Sequence, residues 1–202
     1  DIVILSVKPQ FYAEVIAEIK DDVREDQIII TIAPGKTLAW LKEQFGKNVK
    51  IVRTMPNTPA LVGAGMTAAC PNEYMTKEEI AYVLTLLESF GRVEIIPERL
   101  MDTVVSVSGS SPAYVFMFIE AMADAAVSGG MPRAQAYQFA AQAVLGSAKM
   151  VLETGKHPGE LKDMVCSPAG TTIEAVRVLE EKGFRSSVIE AMKTCEEISK
   201  SM

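Results

Sequence analysis

With 202 residues, 49% of them hydrophobic and 23% charged, the chain has the length of one large or two small domains and an ordinary globular composition, which excludes disorder, a collagen-like repeat and a disulfide scaffold. Twenty Lys and Arg against 26 Asp and Glu leave a net charge of -6, without the basic footprint of a nucleic-acid binder, so no nucleic-acid partner is predicted. Cys70, Cys166 and Cys195 are odd in number and widely spaced, and His157 is the only histidine, which predicts no metal site and a reducing, cytoplasmic setting.

Residues 2–7 are near-continuously apolar, as in a strand covered on both faces, and Pro9 ends the run. No basic region or small-residue cleavage site accompanies it, so it does not read as a signal peptide. Phe11, Val15, Ile16 and Ile19 then recur at helical spacing, and a second apolar run, 27–32, stops at Ala33-Pro34-Gly35. Thr37 is placed to cap a helix reaching about Phe45. Further strands are predicted at 50–53, 66–70 and 92–96, with an amphipathic helix over 76–90 that Thr76 and Glu79 open at capping-box spacing. Short strands alternating with helices predict an α/β domain built on a parallel sheet, and Pro97 marks its end.

Beyond residue 97 the pattern is helical throughout, broken at Ser108-Gly109-Ser110-Ser111-Pro112, Gly129-Gly130, Gly155, Pro158-Gly159, Pro168-Ala169-Gly170 and Gly183. The division is therefore 1–97, α/β, and 98–202, all-α. Two helices, over about 112–128 and 132–153, are apolar nearly all round and need cover on several sides. A hundred residues of helix cannot readily supply it, so a partner copy interlocking its own helices is predicted: an obligate dimer or larger homo-oligomer. The longest weakly charged stretch, 134–148, is shorter than the roughly 18 apolar residues of a membrane helix, so no membrane span is predicted.

The segment richest in chemistry is Ser167-Pro168-Ala169-Gly170-Thr171-Thr172-Ile173-Glu174, where small residues run into a helix. Thr171 and Glu174 stand at capping-box spacing, and outward N–H groups of such a first turn suit a small carboxylate or phosphate. An ordinary capped helix explains the same residues, and both readings stay open. Ser111 is a candidate N-cap with Pro112 at the first helical position, or the segment is simply a tight bend. Ser6-Val7-Lys8-Pro9, Ala33-Pro34-Gly35 and Met55-Pro56-Asn57-Thr58-Pro59 each follow a predicted strand, at the carboxyl edge where an open α/β sheet holds its ligand. His157 reads as a surface or structural residue.

Taken together, Val7-Lys8-Pro9, Met55-Pro56-Asn57-Thr58-Pro59-Ala60, Ser108-Gly109-Ser110-Ser111-Pro112-Ala113-Tyr114, Gly130-Met131-Pro132-Arg133, and His157-Pro158-Gly159-Glu160-Leu161-Lys162-Asp163 continuing to Thr172 resemble the pyrroline-5-carboxylate reductase family over essentially the whole chain. The resemblance implies part of a Rossmann-type domain followed by a helical dimerisation domain, in dimers that assemble further into rings such as a decamer. It implies NADPH or NADH as cofactor and 1-pyrroline-5-carboxylate as substrate, reduced to L-proline in the last step of proline biosynthesis. By position it assigns Val7, Lys8, Pro9, Ala33, Pro34, Gly35 and Asn57 to the cofactor, and Glu98, Ser167, Gly170, Thr171 and Thr172 to the substrate. Thr172 would lie near the ring nitrogen as the catalytic side chain, with solvent as the other candidate proton donor. Three positions depart from the family pattern: Ser111 and Ala169 stand where Gly is usual, and Pro34 removes an N–H from the cofactor crevice. A strand, G-x-G-x-x-G and helix are not found, so a Gly-rich nucleotide segment upstream is expected, without which this chain would hold cofactor poorly. Two other readings remain: a reductase of another carboxylate-bearing imine, and a non-enzymatic homologue that serves as an interaction module.

Overall fold

The computed structural model describes residues 1–201 and shows a mixed α/β fold followed by helices. Strands β1 (Ile2–Leu5), β2 (Ile28–Thr31), β3 (Lys50–Met55), β4 (Gly65–Pro71) and β5 (Gly91–Ile95) form one sheet in the order β1-β2-β3-β4-β5. Helices α1 (Tyr12–Ile19), α2 (Leu38–Phe45) and α3 (Lys77–Glu88) connect them. The expected α/β class holds, with one difference: β4 runs antiparallel to β3, while every other pair is parallel. The cause is connection length. Only residues 56–64 separate β3 from β4, and a parallel return needs a dozen or more.

Both faces of the central strands are covered, while Ile4 of β1 and Ile95 of β5 stay exposed. Ile29 and Ile51 point to one side, where Tyr12 and Ile16 of α1 and Leu41 and Phe45 of α2 pack on them. Ile28, Ile30 and Val52 alternate to the other side against Val83 and Leu87 of α3. The period-two pattern of isoleucines thus feeds two cores from one strand. The helix ends follow the expected chemistry. Thr37 accepts the Trp40 N–H at 3.1 Å, and Thr76 and Glu79 close a reciprocal capping box at the start of α3.

After β5 the described chain has no further strand. A helical stretch begins with a 3₁₀ turn at Glu98–Leu100, continues through α4 (Met101–Val104) and a π-helical turn at Val105–Gly109, and enters α5 (Ser111–Ser128). Ser111 does not cap α5. Its hydroxyl donates back to the Val107 carbonyl at 2.6 Å, because the π turn carries the backbone into α5 without opening a helix end. An N-cap role for Ser111 is not found, and the bend expected here is confined to Ser110 between the π turn and α5. Continuity also makes Glu98–Ser128 long and apolar enough to cross a membrane by length and composition, which the shorter stretch weighed from sequence was not. It carries Glu98, Arg99, Asp102, Glu120 and Asp124.

Helices α6 (Arg133–Thr154), α7 (Pro158–Val165), α8 (Thr171–Glu181) and α9 (Phe184–Lys200) complete the chain. Two compact units result: residues 1–112 together with the chain's end from Met192, and Ala113–Ala191. Within the first, Ser199 of α9 donates to Asp102 at 2.7 Å. The second buries only Ala123, Ala136 and Ala140 among its described residues. Phe116, Met117, Phe139, Leu145, Leu152, Met164 and Val165 are all exposed, and a groove of about 460 Å³ opens between Phe118 and Met122 of α5 and residues 143–151 of α6.

Candidate active site

In the sheet unit, the strand register sets Leu5 beside Thr31 and Thr31 beside Arg53, so the loops following β1, β2 and β3 leave the sheet at neighbouring points. Val7 and Lys8 are exposed on the first loop, and Pro9 opens a short 3₁₀ turn. On the second loop Ala33 is buried, Pro34 and Gly35 are half-buried, and Gly35 adopts a positive φ of 73°, a region favoured by glycine. An apolar cleft of about 680 Å³ is lined by Ile4, Ile32, Pro56, Asn57 and Gly109 among others. Asn57 reaches this cleft with its amide already engaged. Nδ2 donates to the Ser108 carbonyl at 3.0 Å and Oδ1 accepts the Met66 N–H at 2.8 Å, tying the β3–β4 connection to the π turn.

Glu98 is likewise held. Its Oε1 accepts both the Arg53 guanidinium, at 2.8 Å, and the N–H of Leu38, the first residue of α2, at 2.7 Å. Cys70 lies beside this pair. Burial first, and then the Glu98 carboxylate, push its thiol above the ordinary range against the pull of Arg53, so it stays protonated at neutral pH. Tyr12 performs a comparable task near β1: its hydroxyl donates to the Leu5 carbonyl at 2.6 Å and accepts the Ile32 N–H at 3.2 Å. Burial raises the Tyr12 phenol above its usual value, opposed by bonds from the Ile32 and Ala33 backbone, which keeps it a donor.

The helical unit holds the other group of expected residues. Ser167 and Gly170 close a turn, with the Gly170 N–H donating to the Ser167 carbonyl at 3.0 Å. Ala169 has φ of 56°, the one non-glycine residue in the left-handed region among those described, so Ala stands here in a conformation glycine would adopt without strain. A Cβ on Gly170 would run into the Ser167 hydroxyl, so glycine permits this close approach. The expected Thr171–Glu174 capping box does not form. The turn brings Gly170 to the N-cap with extended φ and ψ, Thr171 becomes the first helical residue, and Glu174 pairs with Arg177 at 3.0 Å. No N-cap side chain closes this helix end, and the exposed Ser167 and Thr171 and the half-buried Thr172 surround it. A helix start of this kind offers N–H donors and partial positive charge to an anion. His157 caps α7, its Nδ1 accepting the Gly159 N–H at 3.0 Å. No cluster of three or more metal-ligating side chains occurs among the described residues.

Sequence reading missed Tyr12, Arg53 and Cys70. A single signal was available for Arg53, a charge inside the otherwise apolar run Ile51-Val52-Arg53-Thr54-Met55. Nothing local marks the other two, because their roles depend on partners outside their own elements, Leu5 and Ile32 for Tyr12 and Arg53 and Glu98 for Cys70.

Comparison with known proteins supplies the lineage. Residues 98–202 match the pyrroline-5-carboxylate reductase dimerisation family. The chain is 62% identical to the pyrroline-5-carboxylate reductase of Escherichia coli (strain K12) over 202 residues, all of this chain and 75% of that protein. Against the enzyme of the same name from Methanosarcina acetivorans it is 44% identical over the same shares. Among solved structures, Plasmodium falciparum pyrroline carboxylate reductase, crystallised with NADP bound, superposes with a TM-score of 0.92 at 35% identity, covering 100% of this chain and 76% of that one. These relatives are reductases, and one of them binds the nicotinamide cofactor NADP. The chain is a member of the pyrroline-5-carboxylate reductase family.

Proposed function

We propose that the protein reduces 1-pyrroline-5-carboxylate to L-proline with NADPH or NADH, the last step of proline biosynthesis. The observation that carries this reading is 62% identity to the bacterial reductase over all of this chain and 75% of that protein, joined to a sheet whose three strand-end loops lie side by side with an apolar cleft next to them. The loops at the strand ends would take the flat, weakly polar nicotinamide half of the cofactor, with Val7, Lys8, Pro9, Ala33, Pro34 and Gly35 on the loops after β1 and β2 and Asn57, which also lines the apolar cleft, after β3. When bound, the cofactor supplies a hydride for the C=N carbon while a proton reaches the ring nitrogen, so that one imine and NAD(P)H yield one secondary amine and NAD(P)⁺.

The chain's own residues bind and orient. Ser167, Gly170, Thr171 and Thr172 hold the substrate carboxylate at the start of α8, and Glu98 is assigned to the substrate by the family resemblance alone. Thr172 holds the ring nitrogen, and its hydroxyl or a solvent molecule delivers the proton. Thr172→Ala is expected to lower kcat, and turnover near that of the wild type would exclude the side chain.

We further propose the division at 97/98 as the functional one, with 1–97 for the cofactor and 98–202 for substrate and dimerisation. Its support is the start of the family match at residue 98. A second copy, rather than lipid, covers the apolar faces of α5 and α6. The charges of Glu98–Ser128 and the burial of Met101 and Ser106 in the sheet unit favour that occupant. Assembly of dimers into a larger ring, such as a decamer, and a cytoplasmic location complete the reading, the latter supported by three free cysteines.

The test is oxidation of NADPH and of NADH dependent on 1-pyrroline-5-carboxylate, measured on this 202-residue chain and on the native gene product, with L-proline identified as product. Turnover by the native protein is expected. A folded, oligomeric native protein that turns over neither cofactor would overturn the reading in favour of a non-enzymatic interaction module, and a preference for another cyclic imine acid would redefine the substrate.

A further inference from the structure

The sheet unit buries one cation to which the reductase reading gives no task. Arg53 lies within β3, with Thr31 of β2 and Cys70 of β4 as its register neighbours, and its side chain is only 4% exposed. Desolvating a guanidinium is costly, and an apolar residue of similar size commonly serves stability as well. Its Nε has no hydrogen-bond partner, so the cost is not fully offset within the fold. What Arg53 does have is Glu98, through Nη1 and Oε1 at 2.8 Å.

Glu98 in turn acts on a loop. The same Oε1 accepts the Leu38 N–H at 2.7 Å, one of the donors that the start of α2 leaves unpaired, where a carboxylate also meets the positive end of the helix. The neighbouring donor, the Trp40 N–H, goes to Thr37. Residues 32–37, which contain Ala33, Pro34 and Gly35, are therefore pinned at both ends: at Ile32 by the Tyr12 hydroxyl and at Leu38 by Glu98. Arg53 is not bonded to the loop. It fixes the carboxylate that is, and a single carboxylate oxygen shared between a charge and an N–H leaves that carboxylate little freedom to turn.

We propose that Arg53 is a positioning residue for the cofactor, which acts through Glu98 to hold the start of α2 and with it the loop 32–37. This rests on the reductase reading, since the loop's role as a cofactor wall comes from there. The consequence is selective. Loss of Arg53 disturbs the nicotinamide side while the carboxylate-binding turn at Ser167–Thr172 keeps its own local geometry.

The experiment uses the full-length native protein carrying R53M, R53K or the double change R53M/E98A, which leaves no buried charge unpaired. Steady-state kinetics are read with amide hydrogen exchange over residues 33–41. In R53M the KM for NADPH is expected to rise about tenfold, the factor of one lost charge-assisted hydrogen bond, with the KM for the imine within about twofold. R53K is expected to recover part of the loss, and the double variant, which also removes the Leu38 acceptor, to raise the KM for NADPH at least as far as R53M does, its imine KM reporting the separate substrate contact of Glu98. Exchange at Leu38 quickens in parallel. An unchanged KM for NADPH with unchanged Leu38 exchange overturns the proposal, as does a rise confined to the imine KM, which would tie Arg53 to the substrate contact of Glu98 and not to the loop. Quickened exchange in R53M of a protein that is inactive in its wild-type form would overturn the reductase reading and leave the Arg53–Glu98 clamp in place.

Discussion

In the sheet unit Ile29, Leu41 and Ile51 retain no exposed surface, whereas in the helical unit Phe116 is 62%, Met117 68% and Phe139 68% exposed. The two regions have similar apolar content and dispose of it differently. A sheet presents two flat faces that its own crossover helices cover, so the chain buries the central strands itself, although Ile4, Leu61 and Ile95 stay exposed. Helices that are apolar all round have no such geometry available within one chain, and α5 and α6 stand with an open groove between them. The first region is stabilised by intramolecular packing and the second by association, which accords with the dimerisation family matched by residues 98–202.

The comparison is broken most sharply by Phe139→Glu. If the exposed ring is covered by a second copy, the change occurs twice per dimer and costs on the order of 4 kcal/mol, and sedimentation should show dissociation. An unaltered assembly would mean that Phe139 faces solvent in the working protein. Next in size is Ile51→Ala, expected to cost about 3 kcal/mol from a packed site, with a fall in Tm and no change in how Tm depends on protein concentration. A third change touches the helical unit alone. Ala169→Gly relieves a residue at positive φ and is expected to stabilise by about 1 kcal/mol, read as a higher urea midpoint; a lower midpoint would show that the turn tolerates Ala without strain.

The smallest effect is a pH dependence in the sheet unit. The Lys50 ammonium, bonded to Glu79 at 2.5 Å, and the Thr76 backbone hold the Glu79 carboxyl below the usual carboxylate range. A depressed folded value means that its contribution is complete above the unfolded pKa, near 4.3, and is lost as pH falls from there through the lower folded value. Glu79→Gln should flatten that part of the stability profile, and an unchanged profile would exclude the pair as its source.

These contrasts also explain what could be read in advance. The Thr76–Glu79 capping box and the Thr37 cap depend on residues three apart, and the alternation of the isoleucines in β2 is carried by the strand itself, so local sequence suffices for them. The need of the second half for a partner was legible from helices apolar all round. The direction of β4 was recoverable in principle from the short connection before it. The capping role expected of Thr171 failed because the Ser167–Gly170 turn moves the helix start by one residue, and the cap expected of Ser111 failed because a π turn makes two segments continuous. The Glu98 clamp lay out of reach, since its partners Arg53 and Leu38 are 45 and 60 residues away.

The central contrast, between a unit that covers its core with its own helices and one whose apolar helices need cover from a second copy, is tested most directly by sedimentation equilibrium of the unmodified native protein across a wide dilution range. A mass of at least two chains that persists on dilution until the helical signal is lost with it is the result expected. A folded, fully helical single chain at the lowest concentrations would contradict the account.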